Sequence, residues 1–245
     1  NKASNKIRSI YESMSGHLWI GTGDGLYELD REKEVFIRYE NNPDNPFSLV
    51  HNSVWVIFED RTGVLWIGTE GGLSKFDEKK KQFIRYQNDP DDPRSLSDNW
   101  ILSVYEDRSG TVWIGTTEGL NQFHRTENTF TRYREKDGLP NQVIYGILED
   151  RQGNLWLSTN KGLSKFDPGK GTFKNYDVKD GLQSNEFNVG AYHRNRSGEM
   201  FFGGISGFNM FYPSEKDNPY PPSIVITDFR IFNESVPVSE DSPLH

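Results

Sequence analysis

The segment Glu59-Asp60-Arg61-Thr62-Gly63-Val64-Leu65-Trp66-Ile67-Gly68-Thr69 recurs along the chain, and this recurrence decides the fold. Versions of its second half stand at 18–22, 65–69, 112–116, 155–159 and, more weakly, 200–204. The aromatic marker of these copies falls at Trp19, Trp66, Trp113, Trp156 and Phe202. Units of roughly 45 residues that recur in this way predict a repeat architecture, in which each unit is one supersecondary structure.

Each unit holds four short apolar runs of strand length. The apolar residues alternate with polar ones, as the pleat of a β-strand requires. The Asp-Arg-x-Gly segments at 60–63, 107–110 and 150–153 have the composition of tight hairpin turns. Four antiparallel strands per unit of this length are typical of a β-propeller blade, and the absence of a helical period excludes a solenoid of helix pairs.

We therefore predict an all-β fold, a β-propeller of four-stranded antiparallel blades with five blades visible, forming either part of a ring or a five-bladed ring. The blades are expected within residues 1–213, at about 7–39, 53–86, 100–133, 142–176 and 188–212. The fifth blade lacks the outer Phe-x-x-Tyr strand of the others. Residues 214–222 read as a proline-rich linker, and residues 223–245 as the first strand of a further domain or the closing strand of the last blade.

Composition narrows the classes of function. The 245 residues carry a net charge of −8, which disfavours binding to nucleic acid or to an anionic membrane surface. No run of 18 apolar residues is present, so we expect no direct membrane insertion of this segment. The chain has no cysteine, which excludes disulfides and thiolate sites.

The residues that obey the repeat are expected to serve the blade. The Glu-Asp pairs at 59–60, 106–107 and 149–150 could supply calcium oxygens, but their recurrence favours turn aspartates that accept backbone N–H groups. The recurrent tryptophans are predicted to pack between blades rather than to stack on sugars. The five histidines show no metal-binding spacing. We predict no metal site, no cofactor and no catalytic residue.

The residues that break the repeat are the better candidates for recognition. Those at the entrance to each inner strand face the mouth of the central channel in a propeller, and they differ between blades. Amides, acids and aromatic rings at one mouth suit a polyhydroxylated sugar. The predicted ligand-binding residues are His51, Asn52, Asn99, Trp100, Asn141, Gln142, Asn185 and Glu186.

The repeat resembles that of the two-component regulator propeller family, over residues 7–235. The tail Pro-Pro-Ser-Ile-Val-Ile-Thr-Asp-Phe at 221–229 is similar to the start of the immunoglobulin-like Y_Y_Y domain that follows such propellers. The resemblance implies the periplasmic sensor region of a membrane-bound hybrid histidine kinase that responds to polysaccharide fragments. Sensors of that family usually carry a full ring of more blades than the five visible here.

On this basis we expect a non-catalytic, extracytoplasmic domain that senses an oligosaccharide or another small ligand, passes the signal to a histidine kinase and self-associates. One alternative is a propeller lyase acting on a polysaccharide or a streptogramin-like substrate, for which His51 and Glu186 are the candidate acid and base groups. Another is a scaffold for protein–protein interaction.

Overall fold

The computed structural model describes residues 6–31, 33–213, 230–231 and 234–235. The chain divides into two compact units, Asn1–Pro213 and Ser214–His245. The predicted linker at 214–222 and most of the segment 223–245, including the resemblance to a Y_Y_Y domain, lie outside the described residues.

The first unit is a succession of antiparallel sheets, each formed by strands that follow one another in the sequence. Blade 1 comprises β1 (Ile7–Glu12), β2 (Leu18–Thr22), β3 (Gly25–Asp30) and β4 (Val35–Tyr39). Blade 2 comprises β5 (Val54–Glu59), β6 (Leu65–Thr69), β7 (Gly72–Asp77) and β8 (Gln82–Tyr86). Blade 3 comprises β9 (Ile101–Glu106), β10 (Val112–Thr116), β11 (Gly119–His124) and β12 (Thr129–Tyr133). Blade 4 comprises β13 (Gly146–Glu149), β14 (Leu155–Thr159), β15 (Gly162–Asp167) and β16 (Thr172–Tyr176).

Within the described residues, the fifth blade has three strands, β17 (Phe187–Arg194), β18 (Met200–Gly204) and β19 (Gly207–Phe211). Single 3₁₀ turns at Glu135–Asp137 and Val178–Asp180 follow blades 3 and 4. The prediction of an all-β, five-bladed propeller is confirmed. In the second unit, β20 (Arg230–Ile231) pairs with β21 (Glu234–Ser235); the rest of the segment considered as a closing strand for blade 5 lies outside the described residues.

At each seam, the interface between neighbouring blades, the same kind of aromatic contact recurs, four times in all. The tryptophan of one blade meets a phenylalanine on the third strand of the next, with ring centroids 4.8 to 5.6 Å apart. The pairs are Trp19–Phe76, Trp66–Phe123, Trp113–Phe166 and Trp156–Phe211. All four tryptophans are buried. Tilted and edge-on contacts of this kind add to the stabilisation that burial of the rings already gives.

The repeated aspartate builds the first hairpin turn and fixes the tryptophan beside it. In blade 2, Asp60 Oδ1 accepts the backbone N–H groups of Thr62 and Val64, at 3.0 and 3.1 Å. Its other oxygen accepts the indole N–H of Trp66 at 2.9 Å. Blades 3 and 4 repeat the aspartate–indole bond at 2.7 and 3.0 Å. The repeated acids therefore satisfy buried donors of their own blade, as a turn residue should.

The strand register corrects the position of the fifth aromatic marker. Arg194 pairs with Met200 in blade 5 as Glu149 pairs with Leu155 in blade 4, so Phe201 occupies the position of Trp156. Phe202, which the sequence marked, stands one residue later and is buried on the opposite side of the sheet. The repeat itself already pointed to Phe201, because Gly198 precedes it by three residues as Gly153 precedes Trp156, so marking Phe202 shifted the alignment by one residue.

Candidate functional site

The predicted ligand-binding residues lie in the connections that lead into the inner strands, and five of the eight hold these connections together by hydrogen bonds. His51 Nδ1 accepts the N–H of Ser53 at 3.1 Å, and Asn141 Oδ1 accepts that of Val143 at 3.0 Å. Asp98 and Ser184 make the same bond two residues ahead in blades 3 and 5. These side chains form local turns that direct the chain into each inner strand.

The recurrent asparagines also have a structural partner. Their Oδ1 atoms accept a backbone N–H from the connection that precedes them, at 2.6 to 3.1 Å. The donors are Asn41 for Asn52, Asn88 for Asn99 and Val178 for Asn185. Their acceptor oxygens are therefore already used within the fold. Trp100 and Glu186 are exposed, and Gln142 is half-buried.

One predicted residue belongs to a larger cluster that the sequence reasoning did not foresee. Trp100, 40 % exposed at the entrance of β9, lies beside Trp55 in β5, with ring centroids 5.7 Å apart and planes inclined by 56°. The Trp100 backbone is held by Asp98, whose Oδ2 accepts its N–H at 2.7 Å and the hydroxyl of Thr117 at 2.6 Å. Two indoles from adjacent blades thus form one aromatic surface.

Charged groups from two blades surround Trp55. The guanidinium carbon of Arg8, at the start of β1, lies 4.1 Å from the centroid of the Trp55 ring. Trp55 donates its indole N–H to Glu70 Oε1 at 2.9 Å, and Arg8 reaches the same oxygen at 3.3 Å. Arg8 also donates to the hydroxyl of Ser53. We call Arg8, Ser53, Trp55, Glu70 and Trp100 the mouth cluster.

Glu70 carries its negative charge within this cluster. Partial burial opposes ionisation of the carboxyl, but hydrogen bonds from Trp55 and Ser53 and the charge of Arg8 outweigh burial and hold the pKa of Glu70 below its usual range. At neutral pH the cluster therefore presents an ion pair beside an aromatic surface.

A backbone irregularity explains why Trp55 was missed. The pairing of β5 with β6 shifts register between Val54 and Val56, which leaves Trp55 as the extra residue. A bulge of this kind redirects a side chain out of the alternating pattern, so a residue that reads as one more apolar position in the strand comes to lie between Arg8 and Trp100. The sequence nevertheless contained a signal for this position, because its residue type varies between blades. The equivalent residues in blades 1, 3 and 4 are Arg8, Leu102 and Tyr145.

The contacts of the described residues do not bring Gln142 or Glu186 to the mouth cluster. Gln142 precedes the inner strand of blade 4 and Glu186 that of blade 5. In the part of the chain that the structure describes, no three histidine or acidic residues are placed to hold a metal ion. Within that same part, the helical segments are single turns, and none has the length or apolar character needed to span a membrane.

The mouth cluster has the chemistry of a binding surface. Its aromatic faces suit a flat apolar group, while the carboxylate, guanidinium and hydroxyl beside them provide directional hydrogen bonds.

Comparison with known proteins identifies the repeat. The model of the two component regulator propeller family matches residues 1–24, 48–71, 95–118 and 138–161, which cover the first hairpins of blades 1 to 4. A histidine kinase from Formosa agariphila is 39% identical over 62 residues, or 25% of this chain and 4% of that protein.

Solved structures agree with this assignment. The extracellular domain of the hybrid two component system BT3049 from B. thetaiotaomicron is 31% identical, with a TM-score of 0.78 over 96% of this chain and 33% of that one. The extracellular domain of BT4673 from the same organism is 25% identical, with a TM-score of 0.75 over 88% of this chain and 30% of that one. The chain thus spans about a third of the length of these relatives.

A lyase shares the fold alone. Virginiamycin B lyase from Staphylococcus aureus has a TM-score of 0.58 over 86% of this chain and 72% of its own, at 14% identity. That likeness carries no information about activity. Four of the five blades thus match two component regulator propeller repeats, and the chain is homologous to the extracellular domains of hybrid two component systems.

Proposed function

We propose that this chain is a non-catalytic sensing segment of a hybrid two component receptor and that it recognises an oligosaccharide at the mouth cluster. The observation that carries the proposal is the paired indole surface of Trp55 and Trp100, beside the Glu70–Arg8 ion pair. A pyranose presents an apolar C–H face and a rim of hydroxyls, which match an aromatic face with charged hydrogen-bonding groups at its edge.

The homology to extracellular domains supports an extracytoplasmic location. We place the segment in the periplasm, where it would detect its ligand outside the cytoplasm and pass the signal to a histidine kinase. Signal transfer requires that the ligand bind one conformation or association state of the receptor more tightly than another. A binding surface assembled from three blades suits this role, because a ligand at the mouth cluster contacts parts of the chain that can shift relative to one another.

The candidates for a lyase fit that chemistry poorly. The Ser53 N–H donates to His51 Nδ1, so the neutral ring carries its proton on Nε2 and has no free lone pair to act as a base. Glu186 lies in blade 5, three blades away along the chain, and the described contacts do not join it to His51. A base and an acid that act on one bond need to lie within hydrogen-bonding reach of it.

The test is a binding titration of neutral oligosaccharides by calorimetry, with the products analysed afterwards. We expect a ligand that is recovered intact and an affinity that falls at least about tenfold in Trp100→Ala, which corresponds to about 1.4 kcal/mol. The matched control is Phe36→Ala, which removes another exposed aromatic ring, in the outer strand of blade 1. Equal affinity in both variants would show that the sugar binds elsewhere. An unsaturated sugar product would show that the protein is a lyase rather than a sensor.

We also propose that the sensor region self-associates through the outward faces of blades 1 and 5. These faces expose Ile10, Phe36, Phe208 and Met210 by 56 to 64 %. Each face thus exposes two large apolar side chains, which favours contact with a similar surface. Sedimentation at increasing protein concentration should show dimers or larger species that weaken in Phe36→Ser and Phe208→Ser; a monomer throughout would contradict the proposal and favour a soluble scaffold for another partner.

A further inference from the structure

The inner strands end, opposite the mouth, in a repeated contact between neighbouring blades. The last residue of the strand is a glutamate, and its carboxylate accepts a backbone N–H from the first hairpin turn of the preceding blade. Glu59 accepts from Met14 at 2.7 Å, Glu106 from Arg61 at 2.8 Å and Glu149 from Arg108 at 3.1 Å. Each junction from blade 1 to blade 4 thus holds a carboxylate at the same place.

Blade 5 reverses the charge at that place. The register that pairs Glu149 with Leu155 pairs Arg194 with Met200, so an arginine replaces the glutamate. The next residue, Asn195, replaces the aspartate of the turn. The junction between blades 4 and 5 therefore lacks two carboxylates that the repeat supplies elsewhere and gains a guanidinium. A guanidinium cannot accept the N–H of Arg151 as the earlier glutamates accept those of Met14, Arg61 and Arg108.

Four arginines meet at this junction around an open cavity of about 590 Å³. They are Arg108, Arg151, Arg194 and Arg196. Arg151 donates to the carbonyl of Ser197 at 2.7 Å, and Arg194 donates to the carbonyl of Glu149. Among these four arginines, and within the described residues, only Arg108 has a carboxylate within 4 Å, with its Nε 3.6 Å from Glu149. Asp150 also borders the cavity, but its oxygens already serve its own turn and Trp156.

At the corresponding junction between blades 2 and 3, carboxylates compensate the positive charge of an arginine. There Arg125 lies 2.9 Å from Asp60 and 3.1 Å from Glu106. Arginines at that junction thus have carboxylates within direct contact. Three guanidinium groups without such partners, gathered around one cavity, repel one another and favour a bound negative charge.

We propose that the junction of blades 4 and 5 is an anion-binding site for an oxyanion group (sulfate, phosphate or carboxylate) of a ligand. The anion takes the place of the missing glutamate, accepting hydrogen bonds from the side chains of Arg151, Arg194 and Arg196. Guanidinium groups present paired N–H donors that match the spacing of oxygens in carboxylates and tetrahedral oxyanions. The site lies at the opposite end of the inner strands from the mouth cluster, so it does not depend on the proposed sugar site.

The experiment is a titration of the intact protein with sodium sulfate, phosphate and glucuronate, with sodium chloride added to keep the ionic strength constant. Binding is measured by calorimetry and by the Nε–H NMR signals of the arginines. We expect saturable binding that chloride does not reproduce. The relative affinities of the three salts distinguish sulfate and phosphate groups from carboxylates as the preferred ligand chemistry.

Two variants test the residues. Arg194→Glu restores the residue of the repeat, and we expect it to weaken binding at least tenfold while the protein stays folded. Arg196→Gln removes a charge from an exposed side chain and is expected to weaken binding about three- to tenfold. The matched control is Arg61→Gln, at the corresponding turn of blade 2, which should leave the affinity unchanged.

Three results would overturn the proposal. One is binding that survives in both Arg194→Glu and Arg196→Gln. Another is an equal loss of anion affinity in Arg61→Gln, which would show a general response to surface charge. The third is an intact protein that binds none of the three anions, for instance because acidic residues of the chain itself fill the cavity.

Discussion

Blades 1 and 2 follow the same repeat, yet side chains that are buried in blade 2 are exposed at the equivalent positions of blade 1. Ile57 is 5 % exposed and Phe83 is 2 % exposed, whereas the residues at the same positions of blade 1, Ile10 and Phe36, are 63 % and 56 % exposed. The strands pair in the same way in both blades. The difference comes from the neighbour, because the face that carries these residues packs on blade 1 in one case and on none of the described blades in the other. A blade of this kind has a core only where another blade covers it.

The largest expected effect is on the free energy of unfolding when a buried phenylalanine is removed. Phe83→Ala should lose about 3 to 5 kcal/mol, the cost of a large cavity in a packed core. Phe36→Ala removes the same side chain from the same position and should lose under about 1 kcal/mol. Urea unfolding at low protein concentration measures both. Equal losses would mean that blade 1 is covered in solution, in conflict with the exposure of its outer face.

A smaller effect should separate blades 4 and 5 at a glycine of the second turn. Gly162 and Gly207 are equivalent and have φ values of 94° and 124°. A Cβ added at 162 would lie 1.9 Å from the Tyr176 carbonyl oxygen of the outer strand, whereas one at 207 meets nothing within 4 Å. Both substitutions by alanine strain the backbone, by roughly 1 to 2 kcal/mol.

The clash should therefore appear as the difference between the two variants. We expect Gly162→Ala to lose roughly 3 kcal/mol and Gly207→Ala about half as much, measured by thermal unfolding. If the two variants lose the same stability, the backbone at Gly207 is covered in solution as it is at Gly162.

The smallest effect concerns the turn acid that blades 2 and 5 do not share. Burial opposes ionisation of Asp60, but hydrogen bonds from Thr62, Trp66 and Val64 and from Arg125 hold its pKa below the usual value. A lowered folded-state pKa gives stability that is present above the unfolded pKa, near 4, and lost as the pH falls through the folded value. Asn195 at the same position in blade 5 has no such dependence.

Asp60→Asn, which copies blade 5, should therefore lose about 1 to 2 kcal/mol at pH 7. The gap from the parent protein should narrow as the pH drops below about 4, because the parent then loses the same charge. Unfolding by urea at a series of pH values tests this. A gap that stays constant down to low pH would show that the charge of Asp60 is not what stabilises the turn.

The sequence predicted most of the fold because the repeat states each packing role several times. Trp66 and Asp60 recur at fixed positions, so their burial and turn roles could be inferred before any coordinates. The same reasoning misplaced the fifth marker at Phe202 by one residue, and the pairing of Phe201 with Met210 shows that Phe201 stands at the tryptophan position.

The candidate site was less predictable. Trp100 was selected because it breaks the repeat. Trp55 was missed because a bulge redirects its side chain, and Arg8 was missed because it lies in the first strand of a different blade. The mouth cluster depends on contacts across blades, which a single repeat does not encode. The arginine junction, by contrast, could have been found in the sequence, since Arg194 stands where four earlier blades carry glutamate. Aligning the repeats position by position would have revealed the reversed charge.

The seam in which each tryptophan lies against a phenylalanine of the next blade also orders events during synthesis. A blade that has left the ribosome keeps its indole uncovered until the third strand of its successor emerges. During synthesis, the most recently completed blade should therefore expose an apolar surface around its indole. A ribosome that stalls between two blades would leave this surface accessible to chaperones.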